Sequence, residues 1–222
     1  MNVADNLLFL KRSLPGDVKL VAVSKMQPAS VLKDAYLAGQ RIFGENKVQE
    51  LVCKQPQLPL DIQWHFIGHL QTNKVKYIGS FISLIHSIDS LNLLKEVNKQ
   101  ASRHDRVIEC LLQFHIAMEE TKFGLNLEEA KELLESDRYL AMKNIKITGV
   151  MGMSSFSDDP DLVRREFAVL RNYFLTLKSL YFGNCDTFKE ISMGMTGDYT
   201  IAIEEGSTMV RIGTAIFGER NH

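Results

Sequence analysis

At 222 residues the chain is long enough for one large domain with a substantial core, and 45% hydrophobic with 24% charged residues is ordinary for a soluble globular protein. Lys plus Arg (26) nearly balances Asp plus Glu (27), so no net field favours a nucleic acid or an acidic membrane. No apolar run is long enough to span a bilayer, and Met1–Asn6 lacks the basic and apolar regions of a secretory signal. Cys53, Cys110 and Cys185 are far apart and odd in number, forming neither metal spacing nor a disulfide framework, so a cytoplasmic protein with reduced thiols is expected.

In chain order, Asn2–Leu14 reads as an extra helix ahead of the first strand. Eight runs rich in Val, Ile, Leu or Phe then follow as strand candidates, each ended by a polar or glycine-bearing turn. They are Lys19–Ser24, Arg41–Gly44, Ile62–Gly68, Leu84–Ile88, Val107–Phe114, Ile145–Met151, Phe188–Ser192 and Met209–Ile212. Helical patterns lie between them at Leu91–Arg103, Leu127–Tyr139 and Asp161–Tyr181, with a short one at Gly197–Glu205 closed by Gly206. The clearest is Asp161–Tyr181, where Val163, Phe167, Leu170, Phe174 and Leu177 recur at helical spacing, Asp158-Asp159-Pro160 starts the helix and Gly183 ends it. Eight β/α alternations predict a single α/β domain over 1–222, a closed parallel (β/α)8 TIM barrel. The alternative, an open doubly wound sheet, would usually carry a glycine-rich turn after its first strand; the turn here is Lys25-Met26-Gln27-Pro28.

In such a barrel chemistry gathers at the C-terminal ends of the strands, with phosphate often held after the last two. Lys25 stands where Leu20-Val21-Ala22-Val23-Ser24 runs out. Burial there would favour the neutral amine and make Lys25 a Schiff-base former; otherwise it leaves the strand and snorkels to solvent. The turn Ser192-Met193-Gly194-Met195-Thr196 and the pair Gly213-Thr214 each offer hydroxyls and backbone N–H groups to an anion, or serve as plain helix caps. Arg211 is expected inside the barrel if Ile212 points out, paired with Glu190 or Glu45 or donating to a ring nitrogen. His65 and His69 straddle a strand end, which spoils helical metal chelation; Trp64 is read as packing and Glu119-Glu120 as solvated. A lysine and two phosphate-type turns suggest a phosphorylated aldehyde as cofactor.

Val21-Ala22-Val23-Ser24-Lys25, Phe43-Gly44-Glu45-Asn46, Trp64-His65-Phe66-Ile67-Gly68, Gln71-Thr72-Asn73-Lys74 and the long Ser207–Gly218 segment resemble the pyridoxal phosphate homeostasis proteins, the YggS/PROSC group. These are single-domain relatives of the N-terminal barrel of alanine racemase, and the motifs cover essentially the whole chain. The resemblance implies pyridoxal 5′-phosphate (PLP) held as a lysine aldimine on Lys25. It implies Arg211 at the pyridine nitrogen, Ser192, Thr196, Gly213 and Thr214 on the phosphate, and Asn46 and His65 near the ring. Three positions depart from the commonest family form: His69 for a proline, Thr196 for a serine, and Lys122-Phe123-Gly124 with its larger middle residue.

An arginine at the ring nitrogen weakens the electron sink that most PLP enzymes need. A racemase also needs acid/base groups on both faces of the substrate carbon, and only Tyr199, of six tyrosines expected in helices, lies near the phosphate turn. The expectation is therefore a non-catalytic PLP carrier and regulator, a monomer with PLP-dependent apoenzymes as recipients. A weak PLP-dependent amino-acid racemase is the alternative, and a class I aldolase-like barrel using Lys25 is the third reading.

Overall fold

Strand β1 (Lys19–Val23) places Leu20, Val21 and Ala22 out of solvent, so both of its faces are covered, as a parallel barrel with a helical jacket requires. In the computed structural model, which describes residues 2–118 and 123–218, it is followed by β2 (Ile42–Glu45), β3 (Gln63–Phe66), β4 (Leu84–Ile88), β5 (Ile108–Phe114), β6 (Ile145–Gly152), β7 (Glu190–Ser192) and β8 (Met209–Ile212). Each pairs in parallel with the next, and β8 closes on β1 in the register Lys19↔Met209 to Ala22↔Ile212. All eight expected strands are present. The barrel, not the open sheet, is the architecture.

The helices are α1 (Val3–Ser13), α2 (Ala29–Leu37), α3 (Val48–Lys54), α4 (Leu91–Arg103), α5 (Leu127–Glu135), α6 (Asp137–Leu140), α7 (Pro160–Tyr181), α8 (Tyr199–Glu204) and α9 (Thr214–Phe217). The extra N-terminal helix is real: Asn2 caps α1 by accepting the Asp5 N–H at 2.9 Å. Two departures concern helix ends. The single helix expected over Leu127–Tyr139 is two, because Ser136 is extended (φ −67°, ψ 135°) and its hydroxyl caps α6 at the Tyr139 N–H. The helix expected from Gly197 starts at Tyr199, since Asp198 is the non-helical residue before it. Glu119-Glu120 and Lys122 lie outside the described residues.

Two cores follow from this geometry. The larger one fills the space between the strands and the helices, from Leu7 on α1 to Ile216 on α9. The smaller lies inside the barrel, where Val21, Leu84, Leu111, Met151 and Met209 meet. At the N-terminal end of the strands the Lys19 ammonium reaches Glu190 at 2.6 Å. Polar side chains from four strands take over toward the C-terminal end.

Candidate functional site

Period-two alternation places Arg211 on the same side of β8 as Met209, which is inside. The inward orientation expected from the sequence is found, but neither expected carboxylate is its partner. Glu190 binds Lys19, and Glu45 binds Lys54 at 2.7 Å. Arg211 Nη1 instead donates to the carbonyl and hydroxyl oxygens of Ser192, both at 2.7 Å, and Nη2 donates to the Gly152 carbonyl at 3.0 Å. Burial pushes the guanidinium down to about 10, with Asp198 acting in the opposite direction; it remains a cation at neutral pH.

From Ser192 the contacts continue across the barrel. The Ser192 hydroxyl lies 3.0 Å from His86 Nδ1, and His86 Nε2 lies 3.0 Å from His65 Nδ1. Burial lowers the pKa of both rings, His65 to about 3 with Lys19 adding to the effect, and His86 well below its usual value with His65 and Arg211 adding. Both imidazoles are therefore neutral. Because Arg211 can only donate, Ser192 accepts from it. The Ser192 hydroxyl then meets His86 and His86 meets His65, each ring with one proton, in an unbroken polar chain from β8 to β3.

The Ser192 hydroxyl, at the start of the turn after β7, is thus engaged inside the barrel by Arg211 and His86. In that turn Thr196 is exposed, while the Met195 N–H is taken by Asp198 Oδ1 at 2.5 Å and Asp198 Oδ2 accepts from Ser154 at 2.7 Å. Gly194, at φ +93°, lets the turn fold back: its carbonyl accepts the Arg211 N–H at 2.9 Å, and a Cβ would lie 2.6 Å from Ala202 Cβ.

Lys25 is half-buried just past β1, and Gly213 and Thr214 begin α9 just past β8. With Val23, Gln27 and Phe217 they line one small depression at the C-terminal end of the barrel. The first N–H groups of α9 have no acceptor within the helix and are available to an anion there. Asn46 follows β2, and its Oδ1 is buried with no hydrogen-bond partner among the described residues. Gly68 allows this placement, since a Cβ there would stand 2.5 Å from the Asn46 carbonyl oxygen.

His65, Ser192 and Arg211 are thus brought together inside the barrel, and Lys25, Gly213 and Thr214 at its mouth. His86 was missed; its signal is its place two residues after Leu84 on β4, in phase with the interior. His69 is at the rim, stacked on Phe123 with ring centroids 4.0 Å apart and Nδ1 3.3 Å from Asp89. Two of the three departures from the family form are therefore partners. No group of His, Cys, Asp or Glu suited to a metal occurs among the described residues.

Residues 1–221 match the family model of the alanine racemase N-terminal domain. The chain is 42% identical over 205 residues to the pyridoxal phosphate homeostasis protein of Aquifex aeolicus, covering 92% of this chain and 88% of that one. PipY of Synechococcus elongatus, solved with PLP bound, is similar with a TM-score of 0.87 at 33% identity, covering 98% of this chain and all of that one. Alanine racemase of Clostridium difficile shares the fold, with a TM-score of 0.75 at 14% identity over 56% of its length. By sequence along nearly its whole length, and by its closed eight-stranded barrel, this chain belongs to the pyridoxal phosphate homeostasis protein family, built on the alanine racemase N-terminal barrel.

Proposed function

We propose that the chain binds PLP at the C-terminal mouth of the barrel, carries it as a Schiff base on Lys25, and holds and hands on the cofactor without strong catalysis. The observation that carries this reading is the depression in which Lys25 and the Gly213-Thr214 start of α9 are neighbours. The PLP-bound relative supports it, and so does the fit of the residues present. Asn46 Oδ1 is a buried acceptor awaiting a donor, and α9 offers N–H groups where a phosphate would sit.

When bound, PLP supplies an aldehyde that amines attack reversibly. Lys25 would condense with it, losing water. Thr196 and Thr214 would add hydroxyls to the phosphate, Ser192 contributing through the placement of its turn, while Asn46 and His65 would stand near the ring. Arg211 has three of its five N–H groups engaged by Ser192 and Gly152. The others would meet the ring nitrogen and keep it unprotonated, which suppresses carbanion chemistry and favours a carrier over a racemase. The reading includes a monomer, apoenzymes as recipients, and a cytoplasmic setting in which the free thiols of Cys53, Cys110 and Cys185 stay reduced.

The test is the absorption spectrum of the protein mixed with PLP. A band that is lost in Lys25→Ala, and that hydride reduction fixes covalently on Lys25, is expected. A colourless wild type, or a band that survives Lys25→Ala, would overturn the attachment. Incubation with single L-amino acids in deuterated water then separates carrier from racemase: α-proton exchange at enzyme-like turnover would favour the racemase.

A further inference from the structure

Lys25 stands in a turn that its own sequence does not favour. The Gln27 N–H donates to the Ser24 carbonyl at 3.1 Å, so Lys25 and Met26 are the two central residues of a four-residue turn. Met26 has φ +64°, in the left-handed region where a Cβ is disfavoured and glycine or asparagine usually stands. Such a conformation persists only where the surroundings over-determine it.

A buried charge cluster supplies that constraint. Lys54, the last residue of α3, donates to the Ser24 carbonyl at 2.8 Å, Glu45 Oε1 at 2.7 Å and Glu50 Oε2 at 3.1 Å. An ammonium has three N–H groups, and all three have acceptors here. Glu45 Oε1 also accepts the Ser24 hydroxyl at 2.6 Å, and Glu50 Oε2 accepts the Met26 N–H at 2.8 Å. The residue before Lys25 is therefore held through its carbonyl and hydroxyl, and the residue after it through its amide. Although burial raises the Glu50 pKa, the Met26 N–H and Lys54 outweigh it and hold the carboxyl ionised.

We propose that Lys54 and Glu50, joined to Glu45, are positioning residues for Lys25: acting through the backbone on both sides of it, they hold the turn that aims its amine at a bound aldehyde. The proposal rests on the PLP reading above. The step it assists is addition of the Lys25 nitrogen lone pair to the aldehyde carbon, after which the oxygen leaves as water and a C=N bond remains. Misplacing an attacking group by an ångström is enough to slow such a step strongly.

Lys54→Met would leave Glu45 buried without its counter-charge and destabilise the fold for that reason alone, so the experiment uses Glu50, which leaves the Glu45–Lys54 pair intact. Glu50→Ala removes the acceptor for Met26, whereas Glu50→Gln retains one. Two quantities are measured: the rate at which the Lys25 adduct band appears with PLP, and the affinity for pyridoxine 5′-phosphate, which lacks the aldehyde. Glu50→Ala is expected to slow the adduct about tenfold or more while analogue affinity stays within about twofold, and Glu50→Gln to recover most of the rate. An unchanged rate in Glu50→Ala, or a loss of analogue affinity equal to the loss of rate, would overturn the positioning role. A wild type that forms no Lys25-dependent band would overturn the cofactor reading, and this proposal with it.

Discussion

The neutral histidines inside the barrel make the folded state sensitive to acid. Burial, with Lys19 adding to it, holds His65 at about 3, whereas the ring titrates near 6.5 when the chain is unfolded. Below 6.5 the unfolded chain binds the extra proton, so the stability tied to neutral His65 is complete above pH 6.5. It is lost progressively as pH falls toward 3. Between pH 7 and pH 5 the loss is about 2 kcal/mol for this residue. His86 is shifted in the same direction by burial and adds to the loss, while Glu45, raised by its own burial, opposes it. Urea unfolding at the two pH values should show the slope, and His65→Asn should flatten it by about 2 kcal/mol. An unaltered slope in that variant would mean that the ring is charged or exposed. Arg211 was legible as an inward residue because alternation along a strand is local. Its partners were not, since Ser192 lies 19 positions away and Gly152 lies 59 away.

Helices show the same division. Where apolar residues recur over many turns, as in α4 and α7, the pattern marks the element and its ends, and Leu91–Arg103 matches α4 at both. Short helices carry too few repeats to stand out. In α2 only Leu32 and Ala35 are buried, and neither Pro28 nor Lys47 caps its helix through a side chain. The join at Ser136 was invisible for a related reason: the apolar pattern continues across it, and the break lies in the serine's extended backbone and hydroxyl contacts. At the start of α5 the signal is stronger. Asn126 accepts the Glu129 N–H at 2.9 Å and Glu129 returns a carboxylate to the Asn126 N–H at 2.8 Å, a complete capping box. Asn126→Ala should cost about 1 kcal/mol in chemical denaturation. A change near zero would mean that packing of Ala130, Leu133 and Leu134 alone holds α5.

The barrel as a whole depends on a thin apolar layer in its interior, and that layer supports the polar chain above it. Leu111 is fully buried there between Val21, Leu84, Met151 and Met209. Leu111→Ala should cost about 3 kcal/mol, measured by urea unfolding, because the ring of strands limits collapse into the space left behind. A cost under about 1 kcal/mol would show that the interior repacks freely. The order of eight strands, their covered faces, the inward arginine and the lysine at the end of β1 follow from residue type and short-range period, which a linear chain displays openly. Which groups Ser192, His86, Lys54 and Glu50 meet was decided only by closure. His86 and Ser192 are 106 positions apart, and Lys54 meets Ser24 across 30. No local pattern encodes such meetings; they arise when parallel strands and their helices close on themselves and buried polar groups must find partners.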